Sequence, residues 1–303
     1  MSTSDSYALV TPCRNEAENL RRLGESLLAQ TIEPSRWIIV DNGSTDATGE
    51  VARQLAAARP WIVVLEVPGS PKAAPGAPIV RAFNAGLAEL RRLGGLPSVV
   101  VKLDADISMD PEYFDLLLGA FTSDPALGIA SGACLEQDEE GVWRESAVSD
   151  GHARGAVRAY RAACLEQVLP LVEGMGWDGI DELKANVCGW RTGIVPGLAF
   201  RHHRPEGARD GGRFSRWRSQ GEGAHYMGYR FWFLTARALH RSVKDPAALA
   251  MIWGYASAAA RRAPVHQDEA VRAELRRRQS PSILLGRLRG RASGHAGPAS
   301  EPE

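Results

Sequence analysis

The sequence lacks the features that mark secreted and membrane-spanning proteins. Its 303 residues include four cysteines, and no two of them have the C-x-x-C spacing. This scatter indicates reduced, partly buried thiols in a cytosolic protein. No apolar run reaches the roughly 18 residues that a membrane-spanning helix needs. The N-terminus has no basic segment followed by an apolar one, so we expect no secretory signal and a cytoplasmic location.

The chain also lacks net charge, and this balance hides two oppositely charged parts. It has 36 basic and 36 acidic residues, yet from Arg201 onward there are 19 Lys or Arg against 9 Asp or Glu. A basic C-terminal part suits an anionic partner, such as a phosphorylated acceptor or the inner face of a membrane. Solvated helix faces explain the same arginines equally well, and the sequence leaves both interpretations open.

The chain does contain a regular alternation of short apolar runs with helical patterns. Strands are predicted at 7–11, 37–40, 61–65 and 99–103. A helical pattern follows each strand, which predicts right-handed crossovers and a mostly parallel central sheet flanked by helices. Later in the chain the pattern is looser. There we expect strands at 127–134, 142–148 and 193–200, and helices at 159–171 and 181–187.

These patterns predict an α/β domain over residues 1–205. A helical extension is expected over 206–285, where aromatic residues lie among arginines. Such a segment suits an acceptor-sugar platform or a helix in a membrane interface, and ordinary packing explains it as well. The end of the chain, 286–303, is rich in Gly, Ser, Pro and Arg, and is expected to be disordered.

The predicted strand at 99–103 runs directly into Asp104-Ala105-Asp106. A short β-branched run of this kind is typical of a strand buried on both faces of a parallel sheet. Ligand sites of open α/β sheets lie just beyond the carboxyl ends of such strands. Two carboxylates separated by one residue can hold a divalent cation there and position a phosphorylated ligand on it.

The first two predicted strands also end in polar residues. Pro12 is expected to force the chain out of the sheet after the first strand, and the polar residues that follow it are Arg14, Asn15 and Glu16. The second strand ends in Asp41, Asn42 and Ser44. An acceptor such as Asp41 suits the imide N–H of uracil or ribose hydroxyls. Helix capping explains each motif alone, whereas two of them beside a D-x-D strand favour a nucleotide site.

Taken in order, these motifs resemble those of the family 2 glycosyltransferases, GT-A-fold enzymes that use nucleotide-sugar donors. The stretch from Arg81 through Asn84 to Gly86 resembles a third segment of that family, in which Arg and Asn face the nucleotide-sugar. The resemblance covers about residues 7–204. It implies a nucleotide-sugar half over about 1–107 and an acceptor half over about 108–205.

The resemblance also implies roles for the carboxylates already described. Asp41 would recognise the base, and Asp104 would bind ribose or a metal-bound water. Asp106 would be the direct ligand of Mn²⁺ or Mg²⁺. The cation would offset the charge that builds on the departing nucleoside diphosphate.

The family uses a further acid, about ten residues before a glycine that ends a helix. Counting back from Gly189 places Asp178 at that position as the base that deprotonates the acceptor hydroxyl, and Asp181 is a rival. Trp177 stands where the family has another acid and is expected to stack on the acceptor sugar. Glu182 is a further acceptor-binding candidate. A capping role at a helix start is the structural alternative.

Two adjacent histidines, His202 and His203, follow the last predicted strand. A histidine near this point in the family can complete the metal shell, and imidazole suits Mn²⁺ better than Mg²⁺. Adjacent residues on an extended chain point in opposite directions, so one of the two is expected to be the ligand. The sequence does not choose between them.

The function implied by this resemblance is the metal-dependent, inverting transfer of one sugar from a nucleotide-sugar, and a UDP-linked donor is expected. The acceptor would be a glycan, a lipid-linked molecule or a small molecule, in cell-envelope or exopolysaccharide synthesis. We expect no nucleic-acid partner. Two alternatives stay open. One is a carbohydrate-binding protein that keeps the fold without turnover, suggested by Trp177 in place of an acid. The other is a sugar nucleotidyltransferase, which should carry a Gly- and Arg/Lys-rich phosphate loop where this chain has residues 11–16.

Overall fold

The computed structural model describes residues 6–69, 76–146, 152–174, 176–204 and 212–283. It divides into two compact units, Met1–Ala208 and Arg209–Glu303. The boundary predicted near residue 205 and the tail predicted from residue 286 lie outside the described residues.

The first unit is built on one sheet. Its strands are β1 Tyr7–Cys13, β2 Arg36–Asn42, β3 Ile62–Val67, β4 Val99–Leu103, β5 Ile107–Met109, β6 Leu127–Gln137, β7 Trp143–Glu145, β8 Val157–Arg161 and β9 Arg191–His202. Its helices are α1 Ala17–Leu28, α2 Thr48–Ala58, α3 Ala77–Arg92, α4 Tyr113–Ser123, α5 Ala162–Val168 and α6 Trp177–Val187.

The strand order is β3-β2-β1-β4-β8-β6-β9-β5, with β7 paired to β6. The first four strands in this order are parallel to one another. Next to them β8 runs antiparallel to β4, and β6 pairs parallel with β9. The α/β fold predicted from the sequence is thus confirmed. The carboxyl ends of β1, β2, β3 and β4 meet at one edge of the sheet, because parallel strands share their direction.

The two faces of the sheet are covered by different helices. Strand β1 shows the alternation: Leu9 belongs to one core with α1, α2 and α4, while Ala8 and Val10 belong to another with α3, α5 and α6. Successive strand residues point to opposite faces, so a strand covered on both faces is apolar throughout. This sandwich of two helical layers around the sheet fixes the positions of the strand ends.

The helix predicted at 159–171 is wrong in its first part. Residues Val157–Arg161 form β8, with Ala159 opposite Val101 of β4, and the helix α5 begins only at Ala162. Both Ala159 and Tyr160 are fully buried, on the two faces of the sheet. Tertiary pairing therefore overrides the helical preference of the alanines in this segment.

The second unit contains α7 Arg213–Met227, α8 Phe231–Ser242, a 3₁₀ helix Pro246–Leu249, α9 Ala250–Ala260 and α10 Glu269–Arg278. Helices α7 and α9 pack with their backbones in close approach. A side chain at Gly221 or Gly254 would collide with a backbone carbonyl of the other helix. Within the described ranges, no helix combines the length and apolar character needed to cross a membrane.

Candidate active site at the strand ends

The D-x-D motif forms the turn between β4 and β5. The backbone N–H of Asp104 donates to the carbonyl of Ala156, and its Oδ1 accepts from Lys102 Nζ at 2.5 Å. Lys102 is itself buried within β4. Burial raises the pKa of Asp104, and the Lys102 ammonium opposes that rise. The first aspartate of the motif is therefore held in place by a buried cation two residues earlier.

Asp106 contacts two cationic side chains, one from the last residue of β9 and one from the segment after it. His202 Nε2 lies 3.4 Å from its Oδ1, and Arg204 Nη1 lies 3.5 Å from its Oδ2. Burial alone would raise the pKa of Asp106, but His202 and Arg204 hold it below its usual value. Arg204 also donates to both carboxylate oxygens of Glu16, at 2.6 and 3.0 Å. Arg204 thus links the motif after β1 to the D-x-D turn.

The two histidines lie in different surroundings. The β5–β9 pairing sets Ile107 opposite His202, which brings the His202 ring beside Asp106. His203 Nε2 instead lies 2.7 Å from Ser108 Oγ, and its ring packs edge-on against Trp143. His202 is therefore the histidine that faces the D-x-D carboxylate.

The pair Asp106 and His202 has the spacing that a divalent cation requires. Neighbouring ligands about 2.1 Å from an octahedral ion lie about 3 Å apart, close to the 3.4 Å between Asp106 Oδ1 and His202 Nε2. One carboxylate and one imidazole are donors that Mn²⁺ accepts. Burial alone would lower the pKa of His202, but hydrogen bonds to Asp106, Cys134 and Glu136 raise it to about 12. These residues fit a metal ion, and the imidazole must lose its extra proton to bind one.

Hydrogen bonds connect the polar residues after β1 to those at the end of β2 and after it. Asn15 adopts a left-handed backbone with φ of 55°, and its Oδ1 accepts from the Thr45 N–H at 2.8 Å. The Asn15 N–H donates to Ser44 Oγ, and the Ser44 N–H donates to Asp41 Oδ1, both at 3.0 Å. Asn15, Ser44 and Asp41 thus form one hydrogen-bonded layer.

The structure corrects the expectation for Pro12. Strand β1 continues through Pro12, opposite Val40, and ends at Cys13, opposite Asp41. The strand therefore ends two residues later than predicted, and Arg14 is the first residue beyond it.

A cavity of about 630 Å³ opens at the ends of β2 and β3. Four acids and one arginine are among its lining residues: Asp41, Gly43, Ser44, Asp46, Ala47, Gly49, Glu50, Arg53, Glu66, Val67 and Pro68. Asp41 and its neighbour Asn42 are both buried at the end of β2. Gly43 has a φ of +67°, and a side chain there would collide with the backbone of Gly69. The cavity is large enough for a nucleoside and offers a buried carboxylate to it.

Asn84 and Arg81, the two nucleotide-sugar-binding candidates on α3, differ in burial and in their hydrogen-bond partners. The side-chain oxygen of Asn84 is buried and has no hydrogen-bond partner in the described parts of the chain. An unpaired buried acceptor is costly, so Asn84 fits a site that a ligand completes. Arg81 is half-exposed, and its Nε donates to Glu173 at 2.6 Å. The guanidinium of Arg81 is thus occupied by a surface ion pair in this structure.

Asp178 lies in the first turn of α6, with about a third of its side chain exposed. His152 Nε2 is 3.7 Å from its Oδ2, and the other His152 nitrogen contacts Glu182 at 2.9 Å. Burial favours the neutral form of Asp178, but His152 and Arg158 hold its pKa at about 2. Burial also disfavours the charged form of His152, yet the two carboxylates raise its pKa to about 9. Asp178 is an ionised carboxylate that solvent can reach.

The geometry does not support the expected roles of Asp181, Glu182 and Trp177. Asp181 is 1% exposed and accepts from Arg158 and from the Tyr160 hydroxyl. Burial raises the pKa of Asp181 to about 6, against the effect of Arg158. Glu182 is also buried and accepts from the Ala153 N–H. These acids anchor α6, since they satisfy the buried charge and backbone donors around them.

Trp177 is an interior residue in this structure, not an open platform. It is 8% exposed, and its ring packs against Lys102 Nζ and the Arg158 guanidinium, 5.5 and 5.7 Å from the ring centroid. Cation–π contact with these two residues occupies the ring that was expected to stack on a sugar.

Lys102 also connects the D-x-D turn to the surroundings of Asp178. Its Nζ donates to the carbonyl of Gly155 at 2.8 Å, and a side chain on Gly155 would lie 3.2 Å from Asp178 Oδ2. The D-x-D turn and the Asp178 carboxylate are therefore separated by one buried lysine and one glycine.

The sequence motifs do not predict four residues of this network as site residues: Lys102, His152, Arg158 and Arg204. Lys102 had a signal in the sequence, because a lysine within a fully buried strand needs a partner. His152, Arg158 and Arg204 had none, since their contacts join elements that are distant along the chain.

The comparison with known families agrees with this geometry. The model described as "Glycosyl transferase family 2" matches residues 8–156. Residues 8–156 are a family 2 glycosyltransferase domain. The match contains the ends of β1, β2 and β4, together with His152, whereas Asp178 and His202 lie beyond it.

Similar proteins place this family 2 domain in context. Succinoglycan biosynthesis protein ExoA of Rhizobium meliloti (strain 1021) is 34% identical over 118 residues, 38% of this chain and 32% of that protein. The chain thus matches about a third of that curated relative. Mannosyltransferase PcManGT from Pyrobaculum calidifontis, solved with GDP-Man and Mn²⁺, has a TM-score of 0.57 at 19% identity, covering 93% of this chain and 83% of that one. S. aureus TarS 1-349 with UDP-GlcNAc has a TM-score of 0.51 at 15% identity, covering 71% and 64%. These likenesses confirm the GT-A type fold predicted for the family 2 domain.

The contacts of His152 with Asp178 and Glu182 predict a pH-dependent stability. The pKa of His152 is raised from 6.5 to about 9, so its contribution is fully present below about pH 6.5 and is lost as the pH rises through about 9. We expect this contribution of His152 to the free energy of unfolding to be on the order of 2–3 kcal/mol. Urea unfolding at pH 6 and pH 9.5 should show a loss that is smaller by about this amount in His152→Gln than in the wild type, because His202, whose pKa is raised to about 12, contributes the same loss in both proteins. An equal loss in both proteins would contradict this assignment.

Proposed function

We propose that this chain is a metal-dependent, inverting glycosyltransferase. It would move one sugar from a nucleotide-sugar, with a UDP-linked donor expected, to an acceptor hydroxyl in cell-envelope or exopolysaccharide glycan synthesis. The observation that carries the proposal is the close set of Asp106, His202, Lys102 and Asp178 at the strand ends of a family 2 domain. Ligands suited to a cation and an ionised carboxylate thus lie at the same edge of the sheet, and this supports the proposal.

The donor would bind across the ends of β1, β2 and β4. Asp41 would accept from the nucleobase in the cavity beside it. Asn84 would use its unpaired buried oxygen on the nucleotide-sugar, and Arg14 would be a positive partner for phosphate. Asp106 and His202 would hold Mn²⁺ or Mg²⁺, and such a cation offsets negative charge on a departing nucleoside diphosphate.

Asp178 would act as the base. Its low pKa keeps the carboxylate ionised at neutral pH, and its exposed part lets an acceptor hydroxyl approach. The carboxylate would take the hydroxyl proton as that oxygen attacks the anomeric carbon. Attack on the face opposite to the leaving diphosphate inverts the configuration of that carbon.

The similar proteins support this assignment through what their names state. ExoA is named for succinoglycan biosynthesis, and the two solved structures hold GDP-Man with Mn²⁺ and UDP-GlcNAc. A nucleotidyltransferase is less well supported, because residues 11–16 form no glycine-rich loop. Within this segment, Asn15 is instead hydrogen-bonded to Ser44, which follows β2. A non-catalytic binding protein is less well supported because Asp178, the residue after Trp177, is an ionised carboxylate that solvent can reach.

Substitution of the two rival acids tests the assignment of the base. Asp178→Asn should lower kcat by about 10²–10⁴, because it removes the proton acceptor. Its affinity for the donor nucleotide should be unchanged. Release of nucleoside diphosphate from a panel of nucleotide-sugars with Mn²⁺ measures the first effect, and calorimetry measures the second.

The matched control is Asp181→Asn, three residues further along the same helix. It should lower the melting temperature, because it weakens the buried contact with Arg158, and the protein that stays folded should keep its turnover. If Asp178→Asn kept full turnover and Asp181→Asn abolished it in folded protein, the assignment of the base would be wrong.

The second unit has a surface that suits an anionic bilayer. Helix α8 buries Leu234 and Ala238, while Trp232 and Leu239 on the same helix and Val243, which follows it with helical backbone angles, are exposed. Their spacing of seven and four residues puts these three side chains on one helix face. Tryptophan favours the membrane–water interface. The excess of basic residues after residue 200 adds attraction to anionic lipid, about 1 kcal/mol for each one near the surface. We propose that this unit makes peripheral contact with an anionic membrane.

Vesicle binding of paired leucine variants tests this contact. Leu239 on α8 and Leu116 on α4 are both 55% exposed. Leu239→Ser should weaken co-sedimentation with phosphatidylglycerol-containing vesicles by about tenfold, because leucine burial is worth about 1.5–3 kcal/mol. Leu116→Ser should have no effect. Equal binding of both variants and the wild type, or equal binding to purely zwitterionic vesicles, would argue against the membrane contact.

A further inference from the structure

We infer that Glu136 is a positioning residue of the metal site, which orients the His202 imidazole from the side opposite to Asp106. The inference rests on the proposed metal-dependent transfer and adds a residue from β6 that no sequence motif marks. Glu136 would not bind the cation itself. It would set which nitrogen of His202 is free to do so.

The two ring nitrogens of His202 face two different carboxylates. Nε2 lies 3.4 Å from Asp106 Oδ1, and Nδ1 lies 3.6 Å from Glu136 Oε1. The side chains of His202 and Asp106 are each 13% exposed, and that of Glu136 is 27% exposed. The imidazole therefore lies between two acids in a partly buried setting, where a charged neighbour has a strong effect.

The sheet builds this arrangement. Strands β6 and β9 pair in parallel, with Cys134 opposite Phe200 and Leu135 opposite Arg201. The next residues along the two strands, Glu136 and His202, are consequently neighbours. On the other side of β9, the pairing with β5 sets His202 opposite Ile107, directly after Asp106. The position of His202 between the two acids is thus fixed by backbone pairing on both sides.

The chemistry of histidine ligands explains why a second carboxylate belongs there. A metal-bound imidazole almost always donates its other ring N–H to a carboxylate, carbonyl or water, which fixes its tautomer and its orientation. With the proton on Nδ1 facing Glu136, the lone pair of Nε2 is directed to the Asp106 side. Without Glu136, either nitrogen could carry the proton, and the ring would keep Asp106 and Cys134 but lose its second carboxylate partner.

Direct ligation by Glu136 is the competing arrangement. The ligand atoms of Cys134, Glu136 and His202 all lie within 4.8 Å of one another. An ion bound by these three would use the Nδ1 side of His202 and would not require Asp106. A thiolate would also favour a softer metal than Mn²⁺. The two arrangements therefore predict different effects of substitutions at Asp106 and Cys134.

The test measures Mn²⁺ binding to the full chain without any sugar donor, from the electron paramagnetic resonance signal of free Mn²⁺. Glu136→Leu should weaken binding by about 10–100-fold, the usual cost of losing such an outer partner. Glu136→Gln keeps an acceptor oxygen and should recover most of the affinity. The matched control is Glu145→Leu, which removes an exposed acid from the adjacent strand β7 and should bind Mn²⁺ like the wild type. Thermal melts establish that each variant is folded.

Pulsed resonance adds a readout that a purely structural role would not change. The nitrogen coupling of His202 to bound Mn²⁺ should be present in the wild type and reduced in Glu136→Leu at saturating metal. If Glu136→Leu binds Mn²⁺ as tightly as Glu145→Leu, the inference is overturned while the proposed function stands. If Cys134→Ser loses binding and Asp106→Ala keeps it, the competing arrangement holds and the inference is also overturned. If Mn²⁺ binds none of the folded proteins, both the inference and the metal-dependent function fail.

Discussion

The buried ammonium group of Lys102 is the contact on which the rest of this site depends. A charge inside a sheet is tolerated only when partners surround it, and Lys102 has Asp104, the Gly155 carbonyl and the Trp177 ring. These partners come from three separate parts of the chain. Satisfying one buried cation therefore brings the D-x-D turn, the segment before β8 and the start of α6 to a single place.

A second set of ion pairs joins the opposite side of the site. Arg204 bridges Glu16 and Asp106, while His202 lies between Asp106 and Glu136. Two cationic side chains thus contact Asp106 and hold its carboxylate ionised and in position. Under the proposed function this site is preorganised, so that binding a cation would need exchange of partners and little movement of the backbone.

The fold and the donor side could be predicted from the sequence because they depend on local patterns. Apolar runs such as Val99–Leu103 predict strands, and the polar residues at their ends follow from the shared direction of parallel strands. The acceptor side could not be predicted to the same depth. Asp178, Asp181 and Glu182 look alike in sequence, and only the positions of Arg158 and His152 separate the buried anchors from the accessible acid. The helix prediction is wrong at residues 159–161 for the same reason, since their conformation comes from pairing with β4.

The central claim is that the strand ends bind a nucleoside diphosphate together with a metal held by Asp106. Calorimetric titration of UDP into the wild type and Asp106→Ala, each with and without Mn²⁺, tests this claim most directly. The wild type should bind UDP more tightly when Mn²⁺ is present, and the variant should show the same weak binding in both conditions. Equal affinity of the wild type with and without Mn²⁺ would contradict the account.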